Sequence, residues 1–244
     1  MVREPFNALS HALGVPLALL GSLVLLLMAP KEVWPALLVF GLTMALMFGA
    51  SALYHTLKVE AGALAWLRRL DHAAIFLFIA GSYTPFLMEG LEAGPRTFAL
   101  GLVWGLALLG VGFRLFFLKA PRWLYTLAYL GLGWLSVLFL PRLDLSLSTF
   151  ALMTISGTFY TLGALVYWRK RPNPWPKQVG FHGLWHLLVL LGSVFMYLAV
   201  LIPFYAESLV LGHQWKRVCC LRVSGSWART RHRSATTSIV SSRS

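Results

Sequence analysis

The sequence Phe181-His182-Gly183-Leu184-Trp185-His186 begins a run of apolar residues that continues to about residue 203. A run of this length is enough for an α-helix to cross the hydrocarbon core of a bilayer, which takes roughly 20 residues. On such a helix His182 and His186 are just over one turn apart, with a rise of about 6 Å, so both imidazoles leave the same face and can bind one ion. The alternative is that the two rings form hydrogen bonds within a helix bundle.

The composition of the whole chain is that of an integral membrane protein. Of its 244 residues, 58% are hydrophobic and 12% are charged, and the mean hydropathy is +0.72. Soluble domains have roughly 45–50% apolar and 25% charged residues. The net charge of +13 does not indicate a nucleic-acid partner, because seven of the 21 Lys and Arg residues follow residue 212. The expected partners are membrane lipids.

Seven apolar stretches are long enough to span a bilayer. We therefore expect an all-α membrane protein, a bundle of seven transmembrane helices within residues 1–212. The expected spans are at about residues 9–29, 33–56, 70–89, 97–118, 123–141, 147–168 and 180–203.

Basic residues are concentrated at one end of the expected bundle. The N-terminus and the second, fourth and sixth connections hold 11 Lys and Arg residues, whereas the first, third and fifth connections hold one each. Because basic residues near span ends favour the cytoplasm, the N-terminus is expected in the cytoplasm and the C-terminus outside.

The segment at 213–244 differs from the rest of the chain. It is polar, rich in Arg and Ser, and has no helical apolar stripe. Cys219 and Cys220 are adjacent and lack the spacing of a disulfide framework or of a zinc-thiolate site. We interpret the segment as a disordered tail, a membrane-surface arm, or a remnant of cloning or of a shifted reading frame, and we assign it no function.

Polar residues that are costly at membrane depth occur in three stretches. Ser51 and His55 end the second span, Asp71 begins the third, and the histidine pair begins the seventh. In the expected topology all three stretches lie at the cytoplasmic end of the bundle. A catalytic zinc can be bound by three imidazoles, with its fourth position open to water, so His55, His182 and His186 are candidate Zn²⁺ ligands. Asp71 and Ser51 would then orient a ligand or a water; alternatively, all these groups satisfy one another or the backbone.

Three further polar residues receive a structural interpretation. His72 points about 100° away from Asp71 on a helix, so it is expected to be packed or interfacial rather than a ligand. His11 is expected to cap or to lie at the interface, with contact to the site as the alternative. Arg114, like the arginines before the third span, is expected to extend to anionic headgroups.

Five segments of the sequence carry a resemblance to a known family, and the resemblance extends over about residues 4–205. They are Glu4-Pro5-Phe6-Asn7-Ala8-Leu9-Ser10-His11, Ser51-Ala52-Leu53-Tyr54-His55, Leu70-Asp71-His72-Ala73-Ala74-Ile75-Phe76, Ala80-Gly81-Ser82-Tyr83-Thr84-Pro85-Phe86 and His182-Gly183-Leu184-Trp185-His186. The sequence resembles the haemolysin III family, the bacterial branch related to the progestin and adipoQ receptors (PAQR) and, more distantly, to alkaline ceramidases.

The resemblance implies a multi-pass protein of the bacterial inner membrane with a bound zinc. By this resemblance Ser51 is the serine of the Ser-x-x-x-His motif, Asp71 is the aspartate, and His55, His182 and His186 are the zinc histidines.

The leading functional hypothesis is a membrane-embedded, zinc-dependent hydrolase of a lipid amide or ester, similar to a ceramidase. Asp71 would act as general base and acid, Ser51 would orient the water or a ligand, and the lipid would enter laterally from the bilayer. One alternative is a receptor-like or regulatory protein with a structural zinc, in which Asp71 is the fourth ligand. Another is a pore-forming cytolysin, as the family's name implies.

Overall fold

A computed structural model describes residues 2–223 of the chain, with side chains described as far as Phe204. The helices are α1 Pro5–Met28, α2 Trp34–Thr56, α3 Ala61–Gly90, α4 Ala93–Phe116, α5 Arg122–Trp134, α6 Leu147–Arg169 and α7 Gly180–Val223. Within this part of the chain, seven helical segments are long and apolar enough to cross a membrane. The expected fold of seven transmembrane helices is confirmed.

The chain divides into two compact units, Met1–Glu207 and Ser208–Ser244. The seven candidate spans, the last of which is Gly180–Phe204, lie in the first unit. The polar tail expected from residue 213 falls in the second unit, and residues 224–244 lie outside the described residues.

Helix α3 is the central helix of the bundle. It packs along α2 and α4, contacts α5, and is the most buried of the seven candidate spans. Close packing against α2 depends on Gly81, where a Cβ atom would collide with Oγ1 of Thr43. The outer helices expose apolar side chains as a lipid-facing surface does, and those on α1 include Leu9, Leu13, Leu17 and Leu20. The polar residues of α3 are therefore directed into the bundle.

The third span differs from its expected bounds. Helix α3 begins at Ala61 rather than at residue 70. The segment from Ala61 to Leu67 is rich in Ala and Leu, which have high helix propensity, so the helix forms before the apolar span starts. Asp71 consequently lies about three turns inside the helix, and the connection from α2 is short.

The fifth span also differs from a single long helix. The α-helix ends at Trp134, and two 3₁₀ turns, Leu135–Leu138 and Leu140–Arg142, complete the span. Gly131 and Gly133 weaken the α-helix at this point. The span therefore ends irregularly, at the end of the bundle opposite to the polar residues.

Candidate metal centre

Three imidazoles from two helices meet at the end of the bundle where α1 begins. His55 is the penultimate residue of α2, and His182 and His186 occupy the first two turns of α7. One ring nitrogen from each residue lies within 4.8 Å of the other two. The structure thus brings together the three histidines that the sequence selected.

The chemistry of these rings fits a metal ion. His55 and His186 are 1% and 0% exposed, and within the described side chains the Nε2 atoms of all three histidines are buried without a hydrogen-bond partner. Leaving a buried polar atom unpaired costs about 1–3 kcal/mol. A single ion that accepts all three lone pairs would remove this cost, so the triad could hold a metal.

The loop before α7 places the histidine pair. Gly180 has φ of +65°, which favours glycine, and the N–H of Phe181 donates to Oδ1 of Asn173 at 2.8 Å. These features start the helix just before His182. Further along the first turn, a Cβ on Gly183 would lie 2.8 Å from Cδ1 of Phe6. Glycine at this position therefore lets the start of α1 approach the start of α7.

The start of α1 contacts two of the three imidazoles. Oε2 of Glu4 lies 2.8 Å from Nδ1 of His55, and Oγ of Ser10 lies 3.2 Å from Nδ1 of His186. The hydrogen bond with His55, helped by one from Asn7, lowers the pKa of Glu4 to about 2, although its partial burial acts in the opposite direction. Glu4 is therefore an ionised acceptor.

Asp71 and Ser51 lie beside the triad but are not part of it. Both side chains are buried, and Ser51 and His55 are neighbours of the Asp71 carboxylate. The group of mutually close donor atoms contains only the three histidines. Among the described residues, Oδ2 of Asp71 accepts no hydrogen bond, and His72 Nε2 is 3.9 Å away.

His11, for which the sequence left two interpretations, is buried against the triad. Its ring is stacked on that of His186, with the ring centroids 3.8 Å apart and the planes at 18°. His11 therefore contacts the site, which was the alternative to a capping or interfacial role.

An apolar cavity of about 200 Å³ lies within the bundle beside the metal centre, and its lining includes His11, which stacks on His186. His11 and Asp71 line one end, and Leu87, Phe139 and Leu143 line the other. The cavity follows α3 from Asp71 to Leu87, a distance of about 24 Å at 1.5 Å per residue. It is long and almost wholly apolar, as a site for a hydrocarbon chain would be.

Comparison with known sequences identifies the family. The sequence model of the family described as "Haemolysin-III related" matches residues 1–197. The chain belongs to this family. It is 35% identical over 206 residues to the "Hemolysin-3 homolog" of Bacillus subtilis (strain 168), covering 82% of this chain and 93% of that protein. It is 34% identical over 209 residues to the "Hemolysin-3" of Bacillus cereus, covering 82% and 90%. No solved structure matches the chain.

These relatives and the seven candidate spans make the haemolysin III chain a multi-pass bacterial membrane protein. Sequence reasoning did not assign Glu4 or Ser10 to the site. Their segment was recognised through the family resemblance, but Glu4 is 51 residues from His55, and nothing in the local pattern indicates that they meet.

The prediction that Arg114 extends to lipid headgroups is wrong, because its side chain is buried inside the bundle and is 0% exposed. It contacts Nδ1 of His72, the ring of Tyr125 and the carbonyl of Phe117. These groups replace the water that an interfacial arginine would contact.

Proposed function

We propose that this haemolysin III protein is a membrane-embedded, zinc-dependent hydrolase of a lipid amide or ester. The observation that carries the proposal is the buried histidine triad, whose three Nε2 atoms have no hydrogen-bond partner among the described residues, beside a long apolar cavity lined by His11 and Asp71. Zinc bound by three imidazoles has an open position, polarises a carbonyl and makes water nucleophilic near neutral pH. The preference for zinc over another ion is part of the proposal.

Asp71 is the proposed general base and acid. Its Oδ2 atom is buried and has no hydrogen-bond partner in the described structure, so it is available to accept a proton. It would take the proton of the water that attacks the acyl carbon and return it to the leaving nitrogen or oxygen as the acyl bond breaks. The products are a fatty acid and an amine or alcohol. Ser51, beside Asp71, would orient the water.

The cavity supports a substrate with a long hydrocarbon chain. Its apolar lining would bind the acyl chain with the carbonyl at the Asp71 end. Charged residues that could bind a polar substrate are rare along it, since Asp71 and His11 are the ionisable groups other than tyrosines among the described residues of its lining. A lipid therefore fits this cavity better than a polar solute.

The proposed lateral entrance is between α5, with the 3₁₀ turn that follows it, and α6. Trp134 and Val137 line the cavity and are also 49% and 50% exposed. On the facing helix, Thr161 accepts a hydrogen bond from Nε1 of Trp134 at 3.1 Å. A lipid in the bilayer could enter between these helices without crossing water.

The test is turnover of fluorescent fatty-acyl amides and esters by the purified full chain. We expect hydrolysis of at least one long-chain substrate, and a loss of about 10²–10⁴-fold in Asp71→Asn. The exposed Glu60, at the start of the same helix, provides the control variant Glu60→Gln, which should hydrolyse at the wild-type rate. Equal rates for Asp71→Asn and wild type would exclude Asp71 as the base, and no turnover across the panel would exclude the hydrolase.

Lysis of membranes is a second candidate, favoured by the names of the relatives from Bacillus. Lysis of erythrocytes by purified protein that persists in His55→Ala would support it. The third hypothesis, a structural zinc with Asp71 as a ligand, receives less support because the compact group of donor atoms does not include Asp71.

A further inference from the structure

We propose that Glu4 is a positioning residue of the metal centre. Its carboxylate accepts the Nδ1 proton of His55 and thereby holds the ring with the Nε2 lone pair directed at the other two imidazoles. The inference rests on the proposed metal site and concerns a residue outside the histidine motifs.

The hydrogen bond determines the tautomer of His55. Both carboxylate oxygens of Glu4 already face donors, Nδ2 of Asn7 and Nη1 of Arg3, so the carboxylate is an acceptor and the 2.8 Å contact places the proton on Nδ1 of His55. In the neutral ring the other nitrogen, Nε2, then carries the lone pair that a metal needs. This same Nε2 atom is the one that lies buried and unpaired within the described residues.

Glu4 is itself held in place by three contacts. Nδ2 of Asn7 donates to the same Oε2 atom at 2.8 Å, and Nη1 of Arg3 lies 2.9 Å from Oε1. The backbone N–H of Glu4 donates to the carbonyl of His55 at 3.0 Å. The carboxylate therefore has a fixed position relative to the imidazole, as the partner of a metal ligand requires.

Arg3 fixes the same segment to the end of α2. Its guanidinium donates to the carbonyl of Tyr54 and lies over the Tyr54 ring, 4.3 Å from the centroid. The attachment of the segment thus does not depend on the Glu4 side chain alone. A substitution of Glu4 can for this reason alter the hydrogen bond to His55 while the segment stays in place.

Ser10 has the corresponding role for His186. Its hydroxyl donates to the carbonyl of Asn7 at 3.0 Å, so its oxygen is left to accept the Nδ1 proton of His186 at 3.2 Å. The Nε2 atom of His186 then also carries a lone pair. The start of α1 would in this way fix one ligand on α2 and another on α7.

The test is the zinc affinity of the metal-free full chain in detergent, measured by competition with a chromophoric chelator. We expect Glu4→Leu to bind zinc about 10–100-fold more weakly than wild type, the usual effect of removing such a partner. Glu4→Gln should lie between them, because its amide oxygen still accepts the proton but carries no charge.

Glu92 provides the matched control. Like Glu4, it immediately precedes a helix and makes no capping hydrogen bond with its side chain, but it is exposed at the start of α4. Glu92→Leu should bind zinc with wild-type affinity. Thermal unfolding of each metal-free variant separates loss of fold from loss of affinity. If Glu4→Leu does not fold, the test rests on Glu4→Gln alone. Wild-type zinc affinity in Glu4→Gln would then overturn the positioning role.

A second readout reports the tautomer directly. In ¹⁵N-histidine NMR of the metal-free protein, with His55→Asn to assign the signal, we expect the proton of His55 on Nδ1 in wild type and in Glu4→Gln. Glu4→Leu should show both tautomers. Wild-type affinity and an unchanged tautomer in Glu4→Leu would overturn the positioning role while leaving the metal centre intact. A wild-type chain that binds no zinc would overturn both proposals.

Discussion

Nη2 of Arg114 lies 2.6 Å from Nδ1 of His72, and both side chains are buried. Because the guanidinium only donates, His72 accepts with Nδ1. The proton of the neutral His72 ring is then on Nε2, which lies 3.9 Å from Oδ2 of Asp71. The cation also lies 4.3 Å from the centroid of the Tyr125 ring. Arg114 therefore connects α3, α4 and α5 directly behind the proposed general base.

Arg114→Ala is expected to destabilise the bundle. It leaves Nδ1 of His72 without its donor, which costs about 1–3 kcal/mol, and removes a buried cation–π contact that contributes up to about 2 kcal/mol. The midpoint of thermal unfolding in detergent should fall clearly. Arg169→Ala, at the exposed end of α6, is the control and should unfold at the wild-type temperature. Equal midpoints for the two variants would show that the Arg114 contacts contribute no net stability.

The sequence contains enough information to predict the histidine triad. His182 and His186 share a helix face through their spacing, and His55 reaches the same end of the bundle because α2 and α7 both have clear apolar spans. The prediction needs only the spacing of residues on a helix and the number of spans between His55 and His182.

The contacts made by Glu4 and Arg114 depend instead on tertiary packing. Glu4 meets His55 because the segment before α1 lies against the end of α2, where the N–H of Glu4 donates to the carbonyl of His55, and no periodicity reveals this contact. Arg114 resembles an interfacial arginine because it is close to the end of a span. Its burial follows from neighbours on α3 and α5, His72 and Tyr125, that the linear sequence does not bring together.

Metal content should distinguish ligands from neighbouring histidines. The double variant His182→Ala, His186→Ala is expected to lose the zinc that wild type holds at about one ion per chain, as a three-histidine site requires. His11→Phe should keep it, because His11 contacts His186 through its ring face and is not among the mutually close donor atoms. Elemental analysis of purified protein measures both. Equal zinc in the double variant and wild type would exclude the triad as the site.

Gly157→Phe should shorten the substrate that the cavity accepts. Gly157 lines the cavity on α6, and a Cβ atom there would meet nothing within 4 Å, so the new ring can enter the empty space. We expect turnover of long-chain substrates to fall about tenfold or more relative to short-chain ones, which corresponds to roughly 1.4 kcal/mol, while the zinc content stays at the wild-type level.

The control for this change is Gly101→Phe on α4. Gly101 is exposed, also has open space around it, and does not line the cavity, so both chain lengths should react as in wild type. An unchanged preference in Gly157→Phe would show that the acyl chain does not occupy the cavity.

The side of the membrane on which the metal centre lies can be tested with single cysteines. Lys58 is exposed in the short connection after α2, next to His55, whereas Lys31 is exposed at the opposite end of that helix. The uneven distribution of basic residues predicts that Lys58 faces the cytoplasm. With Cys219 and Cys220 replaced by Ser, a membrane-impermeant maleimide should label Lys31→Cys in intact cells and Lys58→Cys only after permeabilisation. Because Lys58 and the triad are at the same end of the bundle, the opposite pattern would place the metal centre outside and would require any hydrolysis to release its polar product there.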